Sequence, residues 1–449
     1  MSEKRIQTGE NAGLDRRDFL KLGMVGIAGV TALTLASAAS GAVEKTATKA
    51  RIVIVGAGAA GLAMAARLSE RLDGAALTII DDRARHLYQP GFTLIAAGLK
   101  PASYSISATG DYVPRDVNWV QDRVAEFDPE SRKVITASGK PVPYDYLVVA
   151  AGIDLDYAAI DGMDVSRIGK DGLGSVYHSP EGAAATWNLM AQFAETGGDG
   201  VFLRPATEMK CAGAPLKYAF LTDDQLRRKG NRGKANLTYA AHNDALFSVP
   251  IVSEKTRMLF KDRGMKTVYN HVLQAIDPGR KRATFASPSG PVELPYDFIN
   301  VIPPMRAAAS VRNSALAWQD GPFAHDGWVE VNRGTLRHPR FANVFAVGDV
   351  AGVPKGKTAA SIKFQVPVAV DHIVANIAGR DSDSVYGGYT SCPLITRYGR
   401  AMLVEFDYNN DLLPSFPRVI APLEELWVTW VMKTIALKPT YVSMLRGKA

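Results

Sequence analysis

The stretch that decides the fold is residues 50–82, ARIVIVGAGAAGLAMAARLSERLDGAALTIIDD. The apolar run at 51–55 predicts a buried strand, the glycines after it predict a tight turn, and the alanine-rich run to Leu72 predicts a helix. A second apolar run at 76–80 ends on two aspartates. This order of strand, glycine turn, helix and strand is typical of a dinucleotide-binding βαβ unit.

The glycines and the acid of this unit each have a physical reason. Gly56 permits the tight turn, Gly58 lets the backbone approach a pyrophosphate, and Gly61 lets the helix pack closely on the strand. Asp81 lies 20 residues after Gly61, where a carboxylate accepts hydrogen bonds from ribose hydroxyls. The alternative is a glycine turn that binds nothing. The predicted contacts with an adenine dinucleotide are Gly56, Gly58, Ala59, Ala60, Gly61, Asp81 and Asp82.

An internal duplication follows the βαβ unit. Residues 117–152 predict two strands joined at Asp128-Pro129 and then a buried strand, and residues 267–303 repeat this pattern around Asp277-Pro278. Two such copies predict an α/β fold with two Rossmann-like doubly wound domains, one inserted into the other. The predicted boundaries are 50–160 and 295–378 for the first domain, 161–294 for the second, and 379–449 for a C-terminal region with a hairpin and an amphipathic helix.

The second copy lacks a nicotinamide fingerprint. After the apolar run at 200–203, where GxGxxG is expected, the chain reads RPATEMKC at 204–211. Pro205 and the long side chains around it obstruct the close approach of a pyrophosphate. The next predicted strand ends on His242 and Asn243, without a carboxylate. The second domain is therefore predicted not to bind NADH or NADPH.

A second cofactor fingerprint follows at Val347-Gly348-Asp349, where the aspartate is placed for the ribityl chain of a flavin. The run KTAAS at 357–361 predicts the first turn of a helix aimed at the flavin pyrimidine ring, where its positive end stabilises the anionic reduced flavin. The alternative is an ordinary Gly-Asp turn. With the first fingerprint, the cofactor is predicted to be FAD. The further predicted contacts are Gln89, Ala151, Gly152, Gly348, Asp349, Lys357, Thr358 and Ala359.

The composition excludes several classes of protein. The chain has 449 residues, 47% hydrophobic and 22% charged, which is typical of a globular protein with several domains. Its net charge of +7 is scattered, which favours anionic ligands or an anionic membrane surface over nucleic acid. With only two cysteines, no cysteine-rich metal site is available, and no metal is predicted.

The N-terminus is predicted to be a targeting segment rather than part of the fold. Residues 15–21, DRRDFLK, resemble the twin-arginine export signal, and a weakly apolar stretch with an Ala-Ser-Ala site at 36–38 follows. This pattern predicts a signal peptide over residues 1–42 and export of the folded protein to the periplasm. The alternatives are a membrane anchor and an amphipathic cytosolic segment.

The two cysteines carry the candidate chemistry. Cys211 precedes a predicted helix at 216–229, a position that favours the thiolate, and Lys210 and Lys217 add positive potential. Cys392 lies in a loop that enters a late hairpin. A structural disulfide is the plain alternative for an exported protein. Cys211 stands where the nicotinamide turn is expected, and in two-domain flavoproteins that turn faces the flavin. A sulfur at this position is placed for redox chemistry.

The motifs together resemble those of the sulfide:quinone oxidoreductases of mitochondria and many bacteria. The matching runs are HLYQPGFTL (86–94), KCAGAP (210–215), VGD (347–349), KTAA (357–360), GYTSCPL (388–394) and EFDY (405–408). The resemblance implies that hydrosulfide attacks a bridge between Cys211 and Cys392 and leaves a persulfide on Cys392. Electrons then pass from Cys211 through FAD to a quinone, and a separate acceptor removes the sulfane sulfur.

Two departures from the family qualify this reading. Residues 174–179 contain no cysteine, whereas some relatives have one there that links to the flavin, so non-covalent FAD is implied. Lys217 stands where some relatives have a glutamate base, and its charge is suited to attract hydrosulfide.

The export motif also fits the flavin subunit of a flavocytochrome c sulfide dehydrogenase, which passes electrons to a cytochrome c subunit. A non-enzymatic FAD-binding module is a third reading.

The C-terminal region predicts contact with a membrane. Between residues 422 and 437, apolar residues including Trp427 and Trp430 fall on one helical face, with Lys433 and Lys438 at its edge. We therefore expect a peripheral membrane enzyme whose quinone entry lies near Trp427, Trp430 and Tyr441. The alternative is a helix that packs between domains or in a homo-oligomer.

Overall fold

The computed structural model describes residues 45–417 and 420–449 of the chain. Residues 46–449 form one compact unit. The predicted twin-arginine signal, residues 1–42, lies outside the described residues.

The first of two five-stranded parallel sheets within the described ranges carries the N-terminal fingerprint. Its strands, in spatial order, are Val344–Ala346, Tyr146–Val149, Arg51–Val55, Ala76–Ile80 and Asn118–Val120. Ile52, Val53 and Ile54 in its central strand are at most 2% exposed, as expected for a parallel sheet covered on both faces.

The glycine turn after the central strand is constrained by contacts that leave no room for side chains. Gly56 has φ +104°, and a Cβ at this position would lie 2.4 Å from the carbonyl oxygen of Ala150. A Cβ at Gly61 would lie 1.8 Å from the carbonyl oxygen of Gly56. Gly56 therefore lets the turn pass close to the end of the neighbouring strand, and Gly61 lets the helix pack closely against the turn.

The second sheet repeats the plan of the first. Its strands, in spatial order, are Leu173–Gly174, Phe298–Asn300, Gly198–Leu203, Ala235–Ala240 and Lys266–Val268. The strand Phe298–Asn300 pairs with Gly198–Leu203, so the predicted boundary at residue 295 is wrong. The buried strand that closes the second repeat belongs to the second sheet.

Each parallel sheet is accompanied by a three-stranded antiparallel sheet, which matches the predicted duplication. The first is Val124–Asp128, Lys133–Thr136 and Pro141–Pro143, and the second is Val272–Asp277, Arg282–Ala286 and Val292–Pro295. Short strands pair as Thr46–Ala47 with Leu72–Asp73, Arg85–Leu87 with Ile106–Ala108, Asp154–Leu155 with Met305–Arg306, and Val329–Glu330 with Ala351–Gly352. The predicted α/β class with Rossmann-like sheets is confirmed.

The α-helices are numbered in chain order. They are α1 (Ala59–Arg71), α2 (Phe92–Ile95), α3 (Pro180–Thr196), α4 (Ala214–Arg228), α5 (Pro250–Asp262), α6 (Ala309–Arg312), α7 (Ala359–Ile377), α8 (Trp427–Val431) and α9 (Leu437–Leu445). A hairpin of Thr390–Arg397 and Arg400–Phe406 precedes the C-terminal helices.

The C-terminal helix differs from its prediction. It begins at Trp427 rather than near residue 422, and a π-helical segment, Met432–Ala436, joins α8 to α9. In the part of the chain that the structure describes, no helix has both the length and the apolar character needed to cross a bilayer.

Candidate active site

A large cavity lies at the carboxyl ends of the first sheet, the position where ligands bind in open α/β sheets. It is lined by the glycine turn, the first residues of α7, both cysteines and the C-terminal helix. The predicted site residues in its lining are Gly58, Ala59, Ala60, Gln89, Ala151, Gly152, Cys211, Gly348, Asp349, Lys357, Thr358, Ala359, Cys392 and Tyr441.

The backbone of the first fingerprint leaves space for a phosphate group. A Cβ at Gly58 or at Gly152 would meet no protein atom within 4 Å. Gly58 precedes α1, whose first N–H groups lack intrahelical partners and whose dipole favours negative charge. Gly56 and Gly61 do not line the cavity but shape the turn behind it. These residues fit the pyrophosphate of FAD.

The two acidic residues of the first fingerprint are not in the cavity lining. The Asp81 carboxylate accepts hydrogen bonds from the Ala57 N–H at 2.6 Å and from the Arg83 guanidinium at 2.5 and 2.9 Å. Burial raises the pKa of Asp81, but Arg83 outweighs it and lowers that pKa overall. Asp82 forms an ion pair with Arg123 instead. Arg83 folds back onto Asp81, and Arg83 rather than either aspartate lines the cavity.

The second fingerprint places charged groups in the lining of the same cavity. The Lys357 ammonium donates to the carbonyl oxygens of Asp349 and Ala351 at 2.6 and 3.2 Å. Burial lowers the pKa of Lys357 to about 8 and raises that of Asp349. Thr358 caps α7 by accepting from the Ser361 N–H, which directs the start of the helix to the cavity. Polar and cationic groups here suit the ribityl chain and pyrimidine ring of FAD.

Cys211 has a strained backbone held by hydrogen bonds. Its φ is +49°, a left-handed conformation that costs a residue other than glycine about 1 kcal/mol or more. The Cys211 N–H donates to the Lys357 carbonyl at 2.9 Å, and the Tyr177 hydroxyl donates to the Cys211 carbonyl at 3.0 Å. These contacts fix the thiol three residues before α4.

Cys392 lies against Cys211 from the C-terminal hairpin. It is 4% exposed and pairs in register with Val404. A Cβ at Gly213 would lie only 2.3 Å from its sulfur, so glycine is needed for this approach. Both cysteines are free thiols in the structure. A hydrogen bond from the Cys392 thiol lowers the pKa of Cys211 well below its usual value, and the same bond keeps the proton on Cys392, whose pKa is raised.

Two buried lysines add to the positive potential at the cysteines. The Lys217 ammonium lies 3.6 Å from the Cys211 sulfur. Burial alone would lower the pKa of Lys217, but the two sulfurs outweigh it and raise that pKa to about 12. Lys433 is 3% exposed and also lines the cavity. Burial and the charge of Lys217 lower the pKa of Lys433 to about 7.

The position of Lys433 corrects the sequence analysis, which placed it at the solvent edge of an interfacial helix. Its ammonium donates to the Pro90 carbonyl at 2.8 Å. Leu437 and Tyr441, which follow Lys433 in the C-terminal helix, also line the cavity. The Tyr441 hydroxyl and His86 Nε2 share a 2.8 Å hydrogen bond. Burial lowers the pKa of His86 to about 4. The C-terminal helix is therefore a wall of the cavity.

The two tryptophans predicted near the quinone lie outside the cavity lining. Trp427 is 47% exposed, and the Trp430 ring packs 6.2 Å from that of Tyr398, centre to centre. Of the three residues predicted for the quinone, Tyr441 alone is in the lining. The exposed face of this helix continues at Ile435, which is 65% exposed.

The turn after strand Gly198–Leu203 differs from a nicotinamide site. Residues 204–213 separate this strand from α4, and Gly213 is the one glycine in this ten-residue segment. Pro205 and Met209 are buried in it, and its last part carries Cys211. This segment holds the Cys211 thiol at the cavity.

Arg83, Tyr177 and Lys433 line the cavity, but none of them belongs to a sequence motif that identified it as a site residue. Lys433 is separated from both cysteines in sequence and reaches them only because the C-terminal helix folds over the cavity. Among the described residues, no group of His, Cys, Asp and Glu is arranged to hold a metal ion.

Comparisons with known proteins agree with this geometry. The family model described as pyridine nucleotide-disulphide oxidoreductase matches residues 50–188. The chain is 35% identical to the mitochondrial sulfide:quinone oxidoreductase of Mus musculus over 88% of this chain and 86% of the relative. It is 36% identical to the mitochondrial sulfide:quinone oxidoreductase of Dictyostelium discoideum over 82% of this chain and 80% of the relative.

A solved structure shows the same fold. The sulfide:quinone oxidoreductase of Aquifex aeolicus superposes with a TM-score of 0.72 at 21% identity, covering 89% of this chain and 92% of that one. Fold, site and relatives together define an FAD-dependent oxidoreductase with two Rossmann-like sheets. The chain belongs to the sulfide:quinone oxidoreductase family.

Proposed function

We propose that this enzyme oxidises sulfide to sulfane sulfur through Cys211 and Cys392 and passes the electrons through FAD to a quinone. The observation that carries the proposal is the pairing of the two thiols in the lining of a cavity that fits FAD, with the Lys217 ammonium 3.6 Å from Cys211. The names of the related enzymes support the same substrates.

The sulfide step uses the bridge between the two cysteines. In the oxidised enzyme, hydrosulfide attacks the Cys392 sulfur, the bond between the two cysteine sulfurs breaks, and Cys211 leaves as a thiolate. Lys217 and Lys433 stabilise this thiolate and attract the hydrosulfide anion. Cys392 is left with a persulfide. A second hydrosulfide, or another nucleophilic acceptor, then takes the outer sulfur from Cys392. The Cys211 and Cys392 sulfurs form the disulfide again, and the two electrons that they lose would pass to FAD.

Bound FAD supplies the two-electron acceptor for this step and the donor for the quinone. Gly58, Gly152 and the start of α1 would hold its pyrophosphate, and Lys357 with the start of α7 would hold its ring system. We place the quinone entry beside Leu437 and Tyr441, because these residues of the C-terminal helix line the cavity. The absence of cysteine at residues 174–179 supports non-covalent binding of FAD.

We further propose that the exposed face of the C-terminal helix rests on a membrane surface. Ile435 and Trp427 are large apolar side chains that are 65% and 47% exposed. Replacing Ile435→Glu should weaken binding to vesicles. The matched control is Val385→Glu, because Val385 is 69% exposed in another part of the chain. Equal vesicle binding by both variants and the wild type would assign the helix to packing.

Periplasmic export by the twin-arginine route is also a proposal, supported by Arg16 and Arg17 in the motif at 15–21. A fusion of residues 1–42 to a reporter that functions only after twin-arginine export tests it.

The relatives compared above are named as mitochondrial or bacterial sulfide:quinone oxidoreductases. Their names give no support to a cytochrome c subunit as the electron acceptor.

The activity is tested by steady-state assays of the purified enzyme with sulfide and a short-chain quinone. We expect sulfide-dependent quinone reduction that is absent from Cys211→Ser, and much slower reduction of soluble cytochrome c. Faster reduction of cytochrome c than of any quinone would reject the proposed acceptor. No sulfide-dependent reduction of either acceptor would reject the function itself.

A further inference from the structure

A second pocket lies on the surface, separate from the cofactor cavity. It has a volume of about 330 Å³ and lies between α3 and the segment that follows α2. Its apolar lining includes Ile95, Leu99, Ala184 and Trp187, and the two cavities share no lining residue. Helix α2 separates them, because Phe92 lines the cofactor cavity and Ile95 lines the surface pocket.

Two lysines lie at or near one end of this pocket, Lys100 in its lining and Lys438 outside the lining, beside Tyr104. Lys100 is part of the lining, and its ammonium lies 5.1 Å from the centre of the Tyr104 ring. The Lys438 ammonium lies 4.5 Å from the same ring and donates to the Tyr104 carbonyl. No carboxylate lines the pocket. Within the described ranges, neither lysine forms a salt bridge, so their charge is available to an anionic ligand.

The pocket is continuous with the C-terminal helix. Leu99 and Tyr104 pack on the same small buried cluster as Tyr398 and Trp430. Trp430 belongs to α8, which also carries the exposed Trp427. The pocket therefore lies beside the face that we propose to rest on the membrane.

We propose that the surface pocket binds an anionic phospholipid. The phosphate would lie between Lys100 and Lys438, and the first part of an acyl chain would lie against Leu99 and Trp187. A pocket lined by apolar residues, a tryptophan and a lysine has the residue types found at the boundary between headgroups and acyl chains. This inference rests on the proposed membrane contact and adds a defined lipid site to it.

The test uses the full-length FAD enzyme and vesicles of phosphatidylcholine, with and without phosphatidylglycerol. We expect roughly tenfold tighter binding to the anionic vesicles, because Lys100 lines the pocket and Lys438 lies near it. Lys100→Gln should remove a large part of this preference, and Ala184→Phe, which fills the pocket, should do the same. Lys266→Gln is the matched control, since Lys266 is exposed on the edge strand of the second sheet. FAD content and thermal midpoints verify that each variant is folded.

A second readout locates the lipid directly. Phosphatidylglycerol with brominated acyl chains should quench tryptophan emission, and Trp187→Phe should remove part of the quenched signal. Wild-type preference in both Lys100→Gln and Ala184→Phe would overturn the lipid site while leaving the membrane contact intact. A raised KM of Ala184→Phe for long-chain quinone alone would assign the pocket to the quinone tail. Failure of every protein to bind vesicles, with quinone turnover retained, would reject the membrane contact as well.

Discussion

The Lys433 ammonium donates a 2.8 Å hydrogen bond to the Pro90 carbonyl, which anchors the C-terminal helix over the cofactor cavity. Truncation of the C-terminus is therefore a poor test of quinone binding, because it removes Lys433, Leu437 and Tyr441 from the cavity wall together with the exposed face. Point variants separate these roles.

Replacing Lys433→Met should raise the thiolate pKa of Cys211. The positive charge of Lys433 stabilises the Cys211 thiolate, so its removal favours the protonated thiol. Because the pKa of Lys433 is about 7, its charge is present below that pH and is lost above it. Alkylation rates in a Cys392→Ser background should therefore differ most below pH 7 and converge at higher pH. Lys438→Met, on the same helix, should leave the profile unchanged. If the pH profile of alkylation were the same in the Cys392→Ser background alone, with Lys433→Met and with Lys438→Met, the proposed effect of Lys433 on Cys211 would be contradicted.

Gly58→Ala should weaken FAD binding without destabilising the apoprotein. Gly58 has φ −77°, and its added Cβ meets no protein atom. The methyl group would instead occupy space predicted for the pyrophosphate, so we expect a roughly tenfold higher dissociation constant, about 1.4 kcal/mol. The measurement is FAD titration of the apoprotein with its thermal midpoint. Gly233→Ala is the control, because its Cβ also meets open space away from the cavity. Unchanged FAD affinity in Gly58→Ala would show that the pyrophosphate lies elsewhere.

Gly213→Ala should separate the two cysteines. Its Cβ would lie 2.3 Å from the Cys392 sulfur, so that the hairpin or the thiol must move. A displacement of the thiol by about 1 Å should lower the rate of flavin reduction by roughly 10-fold to 100-fold. Stopped-flow measurement of flavin reduction by sulfide tests this, with FAD content as the check on folding. Reduction at the wild-type rate would mean that the contact between the thiols is not needed.

Neither NADH nor NADPH should reduce the flavin. Pro205 and Met209 are buried in the segment that stands where a nicotinamide turn is expected. This segment, residues 204–213, contains no glycine before Gly213. Anaerobic addition of either nucleotide should leave the flavin absorbance unchanged, while sulfide should bleach it in the same cuvette. Rapid bleaching by NADH would show that the second sheet still binds a nicotinamide.

The sequence was sufficient to predict the glycine turn, because it is encoded by neighbouring residues. Short motifs also singled out Gly348, Asp349 and the two cysteines, which the structure brings to one cavity. The duplication also indicated two sheets. The boundary at residue 295 failed although the repeat itself argued against it: Tyr296-Asp297 precedes a buried strand just as Tyr144-Asp145 does. That strand should have been assigned to the second sheet.

Other errors arose from contacts between distant segments. Arg83 folds back on Asp81 and replaces it in the cavity lining. Lys433 is a charged residue on an amphipathic helix, a pattern that favours an exposed position. The Pro90 carbonyl and the two cysteine sulfurs accommodate its charge in the interior. Periodicity identifies the faces of a helix but not the face that packs on a distant site.

An anaerobic sulfide titration that follows the flavin absorbance tests the central claim most directly. Wild-type enzyme should be bleached by sulfide and reoxidised by a short-chain quinone, with a persulfide on Cys392 detected by mass spectrometry. Cys211→Ser and Cys392→Ser should retain FAD but show no rapid bleaching. Bleaching of either variant at the wild-type rate would contradict a mechanism that depends on the Cys211 and Cys392 pair.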